Sequence, residues 1–199
     1  MKVIGLTGGI GSGKSTVAGI LRGFGAVCLD LDAVGHQVMR PGTVTYNRLV
    51  EHFGKEIVAA DGFIDRSILG NIVFSDVESL TALNDIVHPA IDDVVGMTKE
   101  GCKLHKVPVL VLEAAAMLEN NRAWQTDEIW VTVAPEKAVI KRLALRSGYS
   151  EEDSLARIRA QTTDEERTRL ADVVIDTDCT LDELRSRVEA EWRRLITRL

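Results

Sequence analysis

The stretch GLTGGIGSGKST, residues 5–16, sets five glycines, one lysine and several hydroxyls directly behind the apolar run VIGL. Gly8, four intervening residues, Gly13, Lys14 and Ser15 satisfy the pattern GxxxxGK[ST]. Glycines let successive backbone N–H groups turn inward around a phosphate, a concavity that bulkier side chains would close. The run Lys2–Leu6 reads as a short buried strand. The segment STVAGILRGFG carries Val17, Ile20, Leu21 and Phe24 on one helical stripe that stops at Gly25. That helix would point the positive end of its dipole at the glycine loop. A plain glycine turn between strand and helix is the simpler reading, but strand, loop and helix all stand where a phosphate-binding loop requires them. Gly9, Ile10, Gly11, Ser12, Gly13, Lys14, Ser15 and Thr16 are therefore expected to hold a nucleoside triphosphate. Lys14 would reach the β- and γ-phosphates, and the Ser15 hydroxyl would ligate Mg²⁺.

A second short run, AVCL from Ala26, leads into DLD, so the opening is a βαβ unit. Further on, VPVLVLE (107–113), EIWVTVA (128–134) and ADVVID (171–176) read as strands. Between them lie helical patterns. One follows the turn at Pro41 and carries Tyr46, Leu49, Val50 and Phe53 to a stop at Gly54. Another is opened by SDVE (Ser75–Glu78), which has capping-box spacing, and bears Leu80, Leu83 and Ile86. The same spacing recurs in SEED from Ser150, TDEE from Thr163 and TLDE from Thr180. The closing helix places Leu184, Val188, Trp192, Leu195 and Leu199 on one face. Strands alternating with helices make this an α/β protein with a mainly parallel central sheet.

At 199 residues, the chain supports one sizeable core with elaborations. Hydrophobic residues at 45% and charged residues at 27% are those of a folded globular protein. A net charge of −6 argues against gripping long nucleic acid, which needs a basic surface, while leaving room for a local basic pocket. The cysteines Cys28, Cys102 and Cys179 show neither disulfide nor zinc spacing, which suits a reducing compartment. The apolar start is too short for a signal-peptide core, and no run approaches the ~20 residues of a membrane span. The expectation is a cytoplasmic protein with no membrane or nucleic-acid partner, a monomer with an oligomeric form left open.

The phosphate-binding loop establishes a ligand, not a reaction. A GTPase would need an NKxD segment and an ABC ATPase an LSGGQ segment, and the chain has neither. DAVG at Asp32–Gly35 matches the short DxxG pattern of GTPases, but it falls too soon after the loop. A small-molecule kinase suits the size and motif best. In DLD, alternation along an extended segment would set Asp30 and Asp32 on one side, at the end of a parallel strand where such sheets bind ligands. A carboxylate there can accept a proton from an attacking hydroxyl or help hold Mg²⁺, while the competing reading is a helix cap. In KRLALRSGYSEEDSLARIRAQ, Arg142 and Arg146 share a helical face, and Arg157 and Arg159 follow on the next helix. A lid of arginines can neutralise the charge of a transferring phosphoryl group.

Together these residues resemble one family, the dephospho-CoA kinases, over nearly the whole chain. GLTGGIGSGKSTVA is similar to that family's phosphate loop and LDLDAVGHQVMRPG to its DxD segment. DGFIDRSILGNIVFSDVESLTALNDIVHP resembles its middle block, with Asp65, Arg66, Leu69, Phe74, His88 and Pro89 in place. RLALRSGYSEEDSLARIRAQ resembles its lid and ADVVIDTD its last strand. The resemblance implies a P-loop kinase fold in one domain over 1–199, with a nucleotide core (about 1–34, 106–134 and 171–199), a helical acceptor-binding segment (about 35–105) and a helical lid (about 135–170). It implies Mg²⁺-dependent transfer of the ATP γ-phosphoryl group to the ribose 3′-hydroxyl of dephospho-CoA. Asp32 would be the base, Lys14 and Ser15 the phosphate and metal contacts, and Arg142 and Arg146 the nucleotide-side arginines. Arg66 and His88 fall in the acceptor segment, although a histidine before proline is by default a structural residue at a helix end.

The chain departs from the family where AAMLE (115–119) replaces a proline-leucine-leucine-aromatic-glutamate run. Val139 stands where glutamine is common, and Thr177 and Cys179 replace the usual asparagine and glycine. Glu113 and Glu119 could line the site, although a strand-end glutamate is usually solvated. The alternatives are another small-molecule kinase, for a nucleoside monophosphate or a sugar, and a nucleotide-dependent switch with slow hydrolysis. Replacing Lys14 with Ala is expected to weaken Mg-ATP binding and turnover together, as read by calorimetry and a coupled ADP assay.

Overall fold

The computed structural model describes residues 1–115, 117 and 126–197. It divides into two units, Met1–Asp30 with Gly101–Leu199, and Leu31–Glu100. The first unit is built on a sheet of five parallel strands: β1 (Lys2–Gly8), β2 (Val27–Asp30), β3 (Val109–Glu113), β4 (Glu128–Val133) and β5 (Val173–Asp176), in the order β2-β3-β1-β4-β5. Central β1 pairs on both sides, Ile4 lying against Val111 and Glu128. Such sheets need both faces covered, which is why β3 is an unbroken buried run of VLVLE. Helix α1 (Lys14–Gly23) and the last helix, Leu181–Ile196, cover one face. Val17 and Leu21 from the first, and Leu184, Val188 and Leu195 from the second, meet Ile4, Leu6, Val109, Val111, Trp130 and Ile175. Trp192 joins this face with its ring 6.0 Å from Phe24, as the apolar stripe predicts. Leu199 lies outside the described residues.

The order places β1 where the sheet's direction of winding reverses. After β1 the chain goes to β2 on one side and later to β4 on the other, and crevices at such points bind ligands. The carboxyl ends of the strands, Gly8, Asp30, Glu113, Val133 and Asp176, share that edge.

The second unit is helical: α2 (Leu31–Val38), α3 (Val44–Phe53), a short 3₁₀ turn (Lys55–Ile57), α4 (Arg66–Ser75) and most of α5 (Val77–Leu104). Leu49, Phe53, Ile57, Leu69, Val73 and Ile86 are among its buried residues. Thr43 caps α3 by accepting from the Tyr46 N–H at 3.0 Å, and Asp65 caps α4 by accepting from Ser67 N–H at 2.9 Å. In the first unit follow α6 (Glu136–Ser147), α7 (Glu151–Arg159), α8 (Asp164–Arg169) and α9, the Leu181–Ile196 helix. Ser150 caps α7, and Thr163 and Thr180 form reciprocal capping boxes with Glu166 and Glu183. Hydrogen bonds from those threonines hold both carboxyls below the ordinary glutamate value.

Two expectations change. At SDVE the cap is Asp76, not Ser75: Asp76 Oδ2 accepts from Ser79 N–H at 2.8 Å, while the Ser75 hydroxyl donates to the Ile72 carbonyl of its own helix at 2.9 Å. Ser and Asp are caps of similar strength, and α4 running one residue further decides between them. At DLD the chain does not stay extended. Strand β2 ends at Asp30 and α2 begins at Leu31, so the two aspartates belong to different elements. Leu31 and Val34 repeat at helical spacing, and both are buried.

Among the described residues no helix is long and apolar enough to cross a membrane. Leu6 is fully buried at the centre of the sheet, so Leu6→Ala is expected to lower unfolding free energy by about 2–5 kcal/mol, measurable by urea denaturation.

Candidate active site

The loop after β1 is shaped by contacts that only glycine permits. A Cβ at Gly8 would stand 2.2 Å from Oγ1 of Thr132, 2.5 Å from Ser12 Oγ and 2.7 Å from the Thr132 carbonyl. Gly13, the N-cap of α1, has φ 89°, a left-handed conformation that a side chain would strain. The hydroxyls of Ser12 and Thr132 are hydrogen-bonded at 2.7 Å in the buried interior, and Ser12 N–H donates to the Gly9 carbonyl at 3.1 Å. Residues 8–16 line a cavity of about 630 Å³ together with Arg142, Arg146, Gln161, Thr177 and Cys179. This is a ligand-sized space. The structure thus gathers Gly9 to Thr16, Arg142 and Arg146 around one cavity.

Arg142 is fixed against the loop. Its Nη1 donates to the Gly11 carbonyl at 3.0 Å and to Thr177 Oγ1 at 2.9 Å, and its Nη2 donates to the Thr177 carbonyl at 2.7 Å. Val139, one turn earlier on α6, is buried, and its Cγ1 would stand 2.9 Å from a Cβ at Gly11. The other arginines diverge. Arg157 lies over the Tyr149 ring at 4.3 Å, a packing role. Arg159 lines a second cavity of about 380 Å³ beside Gly9 and Ile10.

Four contributors were not predicted. Gln161 accepts from the Ile10 N–H at 2.8 Å, tying the residues after α7 to the loop. Arg167 is buried and pairs with Asp164 at 3.3 Å. Thr132 braces Ser12, and Thr177, read only as a departure, braces Arg142. Gln161 sits inside the quoted lid segment, which was the available signal. A buried threonine carries no sequence signature.

Glu113 is not solvated. Its side chain is 7% exposed and its Oε1 lies 2.6 Å from Arg22 Nη2. Burial pushes its carboxyl above the ordinary glutamate value; Arg22 opposes this, Asp30 adds to it and Lys14 opposes it. Burial likewise pushes the nearby Cys28 thiol up to about 12, so it is not a thiolate nucleophile. Glu119, with Ala116 and Leu118 of AAMLE, lies outside the described residues.

In the second unit Asp32 is exposed in the first turn of α2. His36, four residues on, shares its helical face. Arg66, the first residue of α4, is exposed, and its Nη1 lies 2.7 Å from His36 Nε2, so the imidazole accepts there. His88 stands within α5 and not at a helix end. Pro89 follows it inside the helix and supplies no N–H for the Asp85 carbonyl.

A parallel sheet of this order, with the glycine loop and the N-terminus of α1 at the end of its central strand, defines a P-loop nucleotide-binding protein. The family model described as dephospho-CoA kinase matches residues 2–183. The chain is 42% identical to a dephospho-CoA kinase of Symbiobacterium thermophilum, covering 97% of this chain and 81% of that one. It is 40% identical to one of Carboxydothermus hydrogenoformans, covering 94% and 91%. A solved protein from Thermus thermophilus superposes with a TM-score of 0.82 at 34% identity, covering 98% and 97%. The chain belongs to the dephospho-CoA kinase family.

Because the Glu113 carboxyl is raised in the fold, the folded chain binds that proton more tightly than the unfolded chain does. Its contribution to stability is most favourable below the ordinary value of 4.5 and is lost as pH rises through the folded value. Glu113→Gln is expected to remove this component, so the difference in urea unfolding free energy between the two proteins should change as pH rises above 4.5.

Proposed function

We propose that this chain transfers the γ-phosphoryl group of ATP to the ribose 3′-hydroxyl of dephospho-CoA, giving CoA and ADP, the last step of coenzyme A biosynthesis. One observation carries the reading: in a chain of the dephospho-CoA kinase family, the phosphate loop and two arginines of α6 line a single ligand-sized cavity. In this reading the loop amides and Lys14 hold the triphosphate, and Arg142 and Arg146 neutralise charge on the transferring group. The acceptor oxygen bonds to the γ-phosphorus, the bond to the β–γ bridging oxygen breaks, and ADP leaves with that oxygen. The Asp32 carboxylate takes the hydroxyl proton. Segment 35–105 binds the acceptor, with Arg66 and His88 contributing, and 135–170 acts as the lid over a core of 1–34, 106–134 and 171–199.

The residues present suit Mg²⁺. Ser15 brings a hard hydroxyl oxygen to the cavity, and among the described residues no group of three or more His, Cys, Asp or Glu is placed to cage an ion. Mg²⁺ held mostly by phosphate oxygens and water needs no such cage. When bound through Ser15, it would neutralise charge on the phosphates. A cytoplasmic location remains our reading, supported by three free cysteines.

Asp32→Asn is expected to lower kcat by about 10²–10⁴ while calorimetric Mg-ATP affinity stays within about two-fold of the parent. Turnover near the parent value would remove the base assignment. ADP release by the parent should require dephospho-CoA. Equal release with a nucleoside monophosphate or a sugar, or with no acceptor at all, would favour the alternative readings.

A further inference from the structure

Thr177 follows β5 and is only 3% exposed, yet it is polar where an aliphatic residue would pack as well. Its hydroxyl accepts from Arg142 Nη1 at 2.9 Å and lies 2.8 Å from the Ser12 carbonyl and 3.2 Å from the Val133 carbonyl. A hydroxyl has one proton to give. The Val133 carbonyl already accepts from the Thr177 N–H at 2.9 Å, so the hydroxyl proton belongs on Ser12. The result is a charge-assisted relay from the Arg142 guanidinium through Thr177 to the phosphate loop. Arg142 itself takes the adjacent Gly11 carbonyl.

Two consecutive loop carbonyls are therefore held by one arginine and one threonine. In a trans peptide, the N–H points opposite to the carbonyl. Anchoring the Gly11 carbonyl on Arg142 thus turns the Ser12 N–H away from the guanidinium, where it meets the Gly9 carbonyl, and anchoring the Ser12 carbonyl on Thr177 turns the Gly13 N–H away from that threonine. The methyl group of Thr177 also packs where a Cβ at Gly13 would stand 3.1 Å away.

We propose that Thr177 is a positioning residue for phosphoryl transfer: it sets the guanidinium of Arg142 and the peptide orientation of the loop without touching a reacting atom. This rests on the kinase reading above. Thr177→Val keeps the shape and removes the hydroxyl. It is expected to lower kcat/KM for ATP about 10- to 100-fold and raise the calorimetric Kd for Mg-ATP several-fold, while Thr177→Ser restores both to within about three-fold of the parent. In an Arg142→Ala background the Val substitution should cost less than it does in the parent, because the part of its effect that passes through the arginine is already gone while the direct hold on the Ser12 carbonyl remains.

Full multiplicativity in that background, or a Val variant within two-fold of the parent, would overturn the proposal. So would a serine variant as impaired as the valine one. Should the valine variant not fold, Thr177→Ala carries the same comparison. The Mg-ATP titrations need no acceptor, so they decide the role of Thr177 even if the parent fails to phosphorylate dephospho-CoA, a result that would count only against the proposed reaction.

Discussion

The nucleotide site depends on the approach of two backbones at Gly8. With no side chain there, the end of β1 can pass within van der Waals reach of Thr132 on β4 and of Ser12. That closeness lets Ser12 reach the Thr132 hydroxyl inside the protein, and the loop begins with one of its polar groups already satisfied. Alanine at this position would collide with the Thr132 carbonyl, which belongs to the strand pairing and cannot rotate away. The loop's geometry is therefore a property of the sheet as much as of the glycines in it.

The same economy of polar partners runs through the rest of the first unit. Every buried hydroxyl that approaches the loop, from Ser12, Thr132 or Thr177, has a hydrogen-bond partner, as burial away from water demands. The buried Glu113 is matched by Arg22, whose own side chain is 49% exposed. Such a pair is a weak source of stability, because desolvation offsets much of the attraction. Its effect is better seen in the electrostatics at the carboxyl end of the sheet, where Glu113 couples to both Lys14 and Asp30.

Much of the fold was legible because it rests on short-range rules. The phosphate loop, the β-branched runs, the apolar stripe of the last helix and the capping boxes at Thr163 and Thr180 each encode their own structure within a few residues. Where the sequence misled, a longer-range choice intervened. Ser75 and Asp76 compete as caps, and the length of α4 selects between them. The pair Asp30 and Asp32 alternates as a strand would, but the burial of Leu31 and Val34 favours a helix from Leu31 onward. His88 looked like a helix terminus because proline follows it, yet α5 continues for several turns on either side. Thr132 and Thr177 were out of reach for another reason: each acts through a partner more than a hundred residues away in sequence.

The network around Thr177 also explains why the residue at 142 has to be arginine. Three acceptors surround it, the carbonyls of Gly11 and Thr177 and the hydroxyl of Thr177, and they are met by two different terminal nitrogens of one planar group. A lysine ammonium could approach one or two of them as a point charge, but it could not span the set at fixed geometry. The guanidinium is held against the loop by these three hydrogen bonds, so little side-chain entropy remains to be lost on binding. In the proposed reaction that rigidity sets the direction of the field as well as its sign. A donor already aligned with the loop stabilises charge that develops on the transferring group without reorganising first.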